Sequence, residues 1–165
     1  RLLTDDEICS IWHVVQPPFS EIVKLLIMTG QRRNQIWRFD PSWIQDDKLV
    51  FPPTVMKSKR PHILPLTGYK AHLPRKPITF NSWSKSKTRL DRACSVKDWV
   101  LHDFRRYFSS TMAQIGVPLH VTEQILDHKS QVAGVAAIYN RYTYLEEMRD
   151  ALYLFEKHLN KIVSC

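Results

Sequence analysis

Apolar residues recur at the three- and four-residue spacing of α-helices along most of the chain. Thr4 and Glu7 have the spacing of a capping box, which predicts a first helix that begins there and ends before a proline pair. Residues 20–28 carry the next apolar repeat, which is dense enough to indicate a buried helix. Gly30 follows and is suited to end that helix, because glycine adopts the left-handed conformation at little cost.

The central part of the chain has further start and stop signals for helices. Ser82 or Ser84 is suited to cap a helix that continues towards Cys94. A longer helix is predicted over residues 103–115 and ends at Gly116, and a proline two residues later begins the next helix. These signals predict a mainly helical protein.

The last helix predicted by the pattern has a continuous apolar stripe. Its members recur at three- and four-residue steps on one face: Leu145, Met148, Leu152, Phe155, Leu159 and Ile162. A stripe of nearly five turns is longer than a small domain easily covers. Two interpretations stay open, a helix packed on its own chain and a helix that docks partly on a neighbouring protomer.

A short β-region interrupts the helical pattern. Residues 43–44 and 49–51 flank Asp46 and Asp47, and this arrangement predicts a hairpin. Residues 63–66 add a third strand. The expected fold is therefore an α-rich α+β fold with a small three-stranded antiparallel β-sheet.

Composition and charge indicate which class of molecule the chain binds. The chain has 165 residues, a formal charge of +8 and a pI near 9.5, which favours nucleic acid or an anionic membrane as partner, although a merely solvated basic surface remains the alternative. The three cysteines, Cys9, Cys94 and Cys165, are far apart and suggest reduced intracellular thiols. We find neither an apolar run long enough to span a bilayer nor a signal peptide at the first residues, and we expect an intracellular protein without a membrane partner.

Five side chains suggest chemistry at a phosphodiester. Arg32 follows Gly30 by two residues, His102 and Arg105 form a His-x-x-Arg motif, and His128 and Tyr139 lie downstream. Guanidinium groups bind phosphate with two parallel hydrogen bonds, imidazoles exchange protons near neutral pH, and an activated tyrosine can attack phosphorus. The set is suited to covalent phosphoryl transfer.

In this order the residues resemble the tyrosine recombinase (phage-type integrase) family, whose pattern is Arg, Lys, His-x-x-Arg, His and Tyr. The resemblance extends from about Leu3 to Leu159, nearly the whole chain. It implies the recombinase catalytic fold and a site-specific DNA recombinase of a phage or genomic island, located in the bacterial cytoplasm. Such an enzyme cleaves and rejoins double-stranded DNA through a 3′-phosphotyrosine, without metal or cofactor, and acts as a tetramer when full-length. Residues 1–165 would be the catalytic domain, without the family's N-terminal core-binding domain.

The resemblance also assigns roles. Arg32, Arg105 and His128 would contact the phosphate, and His102 would orient or deprotonate the nucleophile. The family's lysine, which protonates the leaving 5′ oxygen, corresponds to Lys57, with Lys59 as the rival.

The nucleophile has rivals as well. The residues around Tyr139 resemble the family's nucleophile helix, and this makes Tyr139 the nucleophile rather than Tyr142 or Tyr144.

Two departures from the family pattern are visible. Gln35 stands where the family usually has Glu, and a glutamine cannot neutralise the guanidinium of Arg32. The segment between Leu66 and Trp83 is short for a helix that many relatives have there. Two alternative functions remain, a type IB topoisomerase-like enzyme and a non-catalytic basic DNA-binding module in which the arginines only position phosphates.

Overall fold

The computed structural model describes residues 1–128 and 142–164. These residues form seven α-helices and one antiparallel sheet, which confirms the expected α-rich α+β fold. The helices are α1 (Asp5–Val14), α2 (Phe19–Thr29), α3 (Arg33–Trp37), α4 (Trp83–Cys94), α5 (Asp103–Gln114), α6 (Leu119–Ile125) and α7 (Leu145–Val163). The strands are β1 (Ile44–Gln45), β2 (Lys48–Phe51) and β3 (His62–Pro65), and short 3-10 helices span Pro41–Trp43, Pro53–Val55 and Gly68–His72.

Local signals set the ends of the first two helices. The Thr4 hydroxyl accepts from the backbone N–H of Glu7 at 3.3 Å, and the Glu7 carboxylate accepts from the Thr4 N–H at 2.9 Å, so the predicted capping box begins α1. Gly30 ends α2 in the left-handed conformation with φ of 63°. A Cβ at Gly30 would lie 2.6 Å from the Phe108 ring, so the position requires glycine for its backbone and for its packing.

The three strands form a sheet in the order β1-β2-β3. Leu49 of β2 faces Leu64 of β3, and both side chains are buried in the core. The prediction that Trp43 belongs to the first strand is wrong. Asp40 accepts a hydrogen bond from the Ser42 N–H at 2.8 Å and starts a 3-10 turn there instead, so the strand begins one residue later.

The remaining helix boundaries lie close to those predicted. Ser82 occupies the cap position of α4, but its hydroxyl makes no capping hydrogen bond. Helix α5 ends at Gln114, and α6 follows Pro118. Between β3 and α4 the described chain has only the 3-10 helix Gly68–His72. The segment that looked short in the sequence is thus also short of helical structure.

Helix α2 lies at the centre of the core. Ile22, Val23 and Leu25 have no exposed surface, and α2 packs along α5 and contacts α7. Phe108 of α5 meets Phe155 of α7, with ring centroids 4.5 Å apart. These contacts hold α2 and α5 together, the two helices whose ends carry the Arg32 and Arg105 motifs.

The long final helix packs on its own chain. In α7, Leu152 and Phe155 are fully buried and Leu159 is 1% exposed, while Leu145 and Ile162 pack partly against the core. Packing of the helix on its own chain therefore accounts for the apolar stripe. Docking of this helix on a neighbouring protomer stays a prediction.

Candidate active site

Five of the six predicted site residues line one cavity of about 580 Å³, although they come from distant parts of the chain. Arg32 precedes α3, Lys57 lies between β2 and β3, His102 and Arg105 begin α5, and His128 follows α6. The sixth residue, Tyr139, lies outside the described residues. The folding of α2, α5, α6 and the sheet against one another thus produces a cationic cavity.

A second, larger cavity of about 830 Å³ adjoins the first and shares Arg32, Lys57 and His102 with it. Its other lining residues include further cations and two indole rings: Arg33, Arg38, Lys59, Lys87, Trp83 and Trp99. The Lys87 ammonium lies 3.7 Å from the centre of the Trp99 ring. The positive surface therefore continues beyond the site. Of the two rival lysines, only Lys57 lines the smaller cavity with the four other predicted residues.

Arg105 is the most deeply enclosed cation of the cavity, with 4% of its surface exposed. Its Nη1 donates to the Gly30 carbonyl at 2.8 Å, and its Nη2 donates to the Leu126 carbonyl. Burial, followed by the charge of Arg32, lowers the Arg105 pKa to about 10. The guanidinium therefore stays charged at neutral pH, and its orientation is fixed by two backbone carbonyls.

Arg32 presents an unsatisfied donor. Its Nη1 is buried and has no hydrogen-bond partner within residues 1–128 and 142–164. A buried charged donor without an acceptor is costly, so this atom is suited to receive an anionic oxygen. The backbone of Arg32 is held by Gln35, whose Oε1 accepts from the Arg32 N–H at 2.7 Å. Gln35 thus supports Arg32 through its backbone rather than through charge.

His102 and His128 both line the cavity and are partly exposed, one at the start of α5 and one after α6. Burial lowers the pKa of both imidazoles first, and Arg105 and Arg32 lower them further. A lowered pKa favours the neutral ring at neutral pH. A neutral imidazole has one N–H donor and one nitrogen acceptor, so either ring can bind or move a proton.

Sequence reasoning missed two residues at this site. His62 is 7% exposed, stacks on Phe51 and lies against the end of α6, where its Nε2 donates to the Ile125 carbonyl at 2.9 Å. Asp127 directly precedes His128 in the left-handed conformation, with φ of 50°, and its charge raises the pKa of Arg105 and His128. His62 of β3 pairs with Phe51 of β2, a register that no local sequence pattern marks.

Two further features of the described residues concern metals and membranes. Residues 1–128 and 142–164 contain no group of three or more His, Cys, Asp or Glu side chains placed to hold a metal ion. None of the helices that the structure describes is both long and apolar enough to cross a bilayer.

Comparison with known proteins gives a relative in sequence and one in structure. The chain is 24% identical over 165 aligned residues to the prophage integrase IntZ of Escherichia coli, and the match covers 86% of this chain and 40% of that protein. It therefore spans less than half the length of this curated relative. No family model matches the chain.

The structural match is broader. The catalytic domain of bacteriophage HP1 integrase superposes with a TM-score of 0.60 at 18% identity, covering 99% of this chain and 93% of that one. The helices and the three-stranded sheet therefore form an integrase catalytic fold. Both comparisons agree with the resemblance drawn from the motifs, and the structural one shows that this chain has the fold of an integrase catalytic domain.

Proposed function

We propose that this chain is the catalytic domain of a site-specific DNA recombinase of phage or genomic-island origin. The observation that carries the proposal is the convergence of Arg32, Lys57, His102, Arg105 and His128 on one cavity. Two guanidiniums, one of them with a buried donor that has no partner among the described residues, suit an anion such as a DNA phosphate. The likeness to IntZ, a prophage integrase, supports the same assignment.

In the proposed reaction, the phenol oxygen of Tyr139 attacks a DNA phosphorus and the bond to the 5′ oxygen breaks. The phenol proton passes to a base, for which His102 is suited, and Lys57 donates a proton to the leaving 5′ oxygen. A 3′-phosphotyrosine and a 5′-hydroxyl result. Because the phosphodiester energy is retained, a 5′-hydroxyl of another strand can reverse the step without ATP.

The cations of the cavity would stabilise the transition state. Negative charge builds on the non-bridging oxygens during transfer, and Arg32 and Arg105, which line the cavity, would receive it. His128 would donate a hydrogen bond to the same group. In this proposal the guanidiniums supply the positive charge, so the reaction is metal-independent.

The wider proposal concerns the whole enzyme. Its partner would be double-stranded DNA, whose phosphates suit the chain's charge of +8 and the cations of the second, larger cavity. Strand exchange between two duplexes requires four cleavages, which suits a tetramer of the full-length protein in the bacterial cytoplasm. A topoisomerase-like enzyme would share the covalent step but rejoin the original strand, whereas a DNA-binding module would form no covalent bond.

A nicked suicide duplex tests the covalent step. When Tyr139 cleaves near a nick, the short fragment that carries the new 5′-hydroxyl diffuses away. The protein then remains attached to the 3′ phosphate. We expect a protein–DNA adduct on a pool of nicked duplexes of random sequence with the wild-type chain. Tyr139→Phe should remove the adduct while DNA affinity stays within about twofold, because the change removes a hydroxyl and no charge.

Tyr142→Phe is the matched control, since Tyr142 is exposed and its hydroxyl contacts Glu147 at 3.2 Å. This variant should retain the adduct. An adduct that persists in Tyr139→Phe and vanishes in Tyr142→Phe would contradict the assignment of the nucleophile. Transfer of the trapped strand to a second duplex, rather than religation alone, would separate a recombinase from a topoisomerase.

A further inference from the structure

We propose that Gln31 and His62 are positioning residues that align the catalytic cluster through one backbone carbonyl, that of Ile125. The proposal rests on the function proposed above. Gln31 Nε2 donates to the Ile125 oxygen at 2.8 Å, and His62 Nε2 donates to the same oxygen at 2.9 Å. Gln31 is 2% exposed and His62 is 7% exposed, so both hydrogen bonds are shielded from water.

Gln31, His62 and Ile125, which together we call the junction, lie next to different site residues. Gln31 directly precedes Arg32, His62 follows the turn that carries Lys57, and Ile125 ends α6 three residues before His128. The next carbonyl along the chain, that of Leu126, accepts from Arg105. Two successive carbonyls at the end of α6 therefore join the segments that carry Arg32, Lys57, Arg105 and His128.

A chain of buried amides fixes the orientation of Gln31. Its Nε2 also donates to the Thr29 carbonyl at 3.1 Å, and its Oε1 accepts from Gln35 Nε2 at 3.0 Å. The same Gln35 donates to the Met56 sulfur at 3.1 Å, beside Lys57, and accepts from the Arg32 N–H. Each amide uses both its donor and its acceptor, so turning either one over would place like groups against each other.

The family's usual glutamate would not serve at Gln35 in this chain. A carboxylate there would present oxygen to the Oε1 of Gln31, and turning Gln31 over would break its bonds to Thr29 and Ile125. The glutamine at position 35, which departs from the family pattern, is therefore matched to Gln31.

The junction should affect the reaction rate rather than DNA binding. His62 lines neither cavity, and its burial lowers its pKa, so it is neutral and adds no charge for DNA. Loss of the His62 donor removes the hydrogen bond that joins the start of β3, just after the β2–β3 turn, to the end of α6. A displacement of about 1 Å among catalytic groups lowers a rate by about 100-fold.

Two substitutions at His62 separate the hydrogen bond from packing. His62→Phe keeps a ring against Phe51 but has no donor, whereas His62→Gln has a side-chain N–H that can reach Ile125. We expect His62→Phe to slow adduct formation on the nicked duplex pool by about 10- to 100-fold, with DNA affinity within about twofold. His62→Gln should restore most of the rate.

His13→Phe is the matched control. His13 also places its Nε2 2.9 Å from a backbone carbonyl, that of Val163, but it lies on an exposed surface and lines neither cavity. Its rate should equal that of the wild type. If His62→Phe does not fold, Gln31→Glu provides the second test, because it keeps an acceptor for Gln35 and loses the donor to Ile125.

A measurement without DNA distinguishes failure of this proposal from failure of the proposed function. His62→Phe, or Gln31→Glu in its place, should shift the side-chain NMR signals of His128, and His13→Phe should not. If the wild type forms no adduct, the proposed function fails and these shifts still decide the junction. A wild-type rate with unshifted His128 signals in His62→Phe, or equal defects in His62→Phe and His62→Gln, would overturn the proposal.

Discussion

Arg32 and Arg105 influence the charge state of the histidines that share their cavity. Burial is the first cause of the lowered pKa of His102 and His128, and both guanidiniums add to it. A neutral imidazole can accept a proton from a phenol, whereas an imidazolium cannot. The arginines therefore contribute to the proposed reaction by keeping the histidines neutral as well as by binding phosphate.

Arg32→Ala should raise the pKa of both His102 and His128, because removing a positive charge removes its repulsion of the imidazolium. NMR titration of the ring signals measures this directly. Arg33→Ala is the control, since Arg33 is the adjacent cation and its guanidinium lies over the Trp83 ring. A pKa that falls in Arg32→Ala, or moves equally in both variants, would contradict the proposed proximity.

Gly30→Ala should reduce the free energy of unfolding by about 2–4 kcal/mol, combining a strained left-handed residue with overpacking. Its added Cβ would meet Phe108 at 2.6 Å and Leu126 at 2.8 Å, and the Gly30 carbonyl holds Arg105. Gly116→Ala is the control, since Gly116 has φ of 85° and no atom of the part of the chain that the structure describes lies within 4 Å of the added Cβ. It should lose roughly 1 kcal/mol. Equal losses in urea denaturation would argue against the packing term.

The side chains proposed to react were easier to predict from the sequence than the residues proposed to orient them. Arg32, His102 and Arg105 carry motif spacing that is visible along the chain. Gln31 and His62 act on Ile125 from 94 and 63 residues away, and no local pattern marks such a contact. Their role depends on the tertiary fold, so it became visible only once α2, α6 and the hairpin were placed.

Among the helices and strands, local capping and turn chemistry determined where prediction succeeded. The capping box at Thr4 and the left-handed Gly30 act within one turn of chain, and both boundaries were predicted. The hairpin pattern predicted a strand at Trp43, but the Asp40 side chain accepts a hydrogen bond from a backbone N–H there and forms a turn. Local hydrogen bonding therefore outweighed the hairpin pattern.

Helix α7 is fixed to the body of the protein by a buried carboxylate. Glu156 is 7% exposed and accepts hydrogen bonds from the Thr67 hydroxyl at 2.5 Å and from the Gly68 and Tyr69 N–H groups at 3.0 Å. These bonds join α7 to the start of the 3-10 helix after β3. The helix that follows the proposed nucleophile is thus anchored in polar as well as apolar contacts.

Glu156→Gln should lower the free energy of unfolding by about 1–3 kcal/mol. The new amide NH₂ would face one of the donors from residues 67–69 and leave that donor without an acceptor. Glu146→Gln, an exposed change in the same helix whose carboxylate pairs with Arg149, should stay within about 0.5 kcal/mol. Chemical denaturation of both variants decides the point. If the two variants lost equal stability, the anchor at Thr67, Gly68 and Tyr69 would be unimportant.

For the molecule as a whole, the burial of α7 limits how assembly can work. Its apolar stripe is covered by α1, α6 and β3 of the same chain, so the described residues do not need a neighbour to bury it. Exchange of this helix between protomers would first require those contacts to break. If the full-length enzyme assembles as a tetramer, the described fold favours other surfaces for that purpose.

The four histidines with a lowered pKa make the stability of the whole fold depend on pH. Burial is the first cause that lowers the pKa of His62, His72, His102 and His128. With a folded pKa below the unfolded value of 6.5, the unfolded chain binds more protons in mildly acidic solution. Stability is therefore complete above about pH 6.5 and falls as the pH decreases towards the folded values.

We expect the urea midpoint to be lower at pH 5.5 than at pH 7.5. The carboxylates with a lowered pKa, such as Glu7 and Asp40, lose their contribution only below their ordinary values near pH 4, so this interval reports mainly on histidines. His62→Gln cannot be protonated and should show a smaller difference between the two pH values. His13→Phe, which alters an exposed ring, should keep the wild-type difference. A midpoint that rises on acidification would contradict the sign derived from these four histidines.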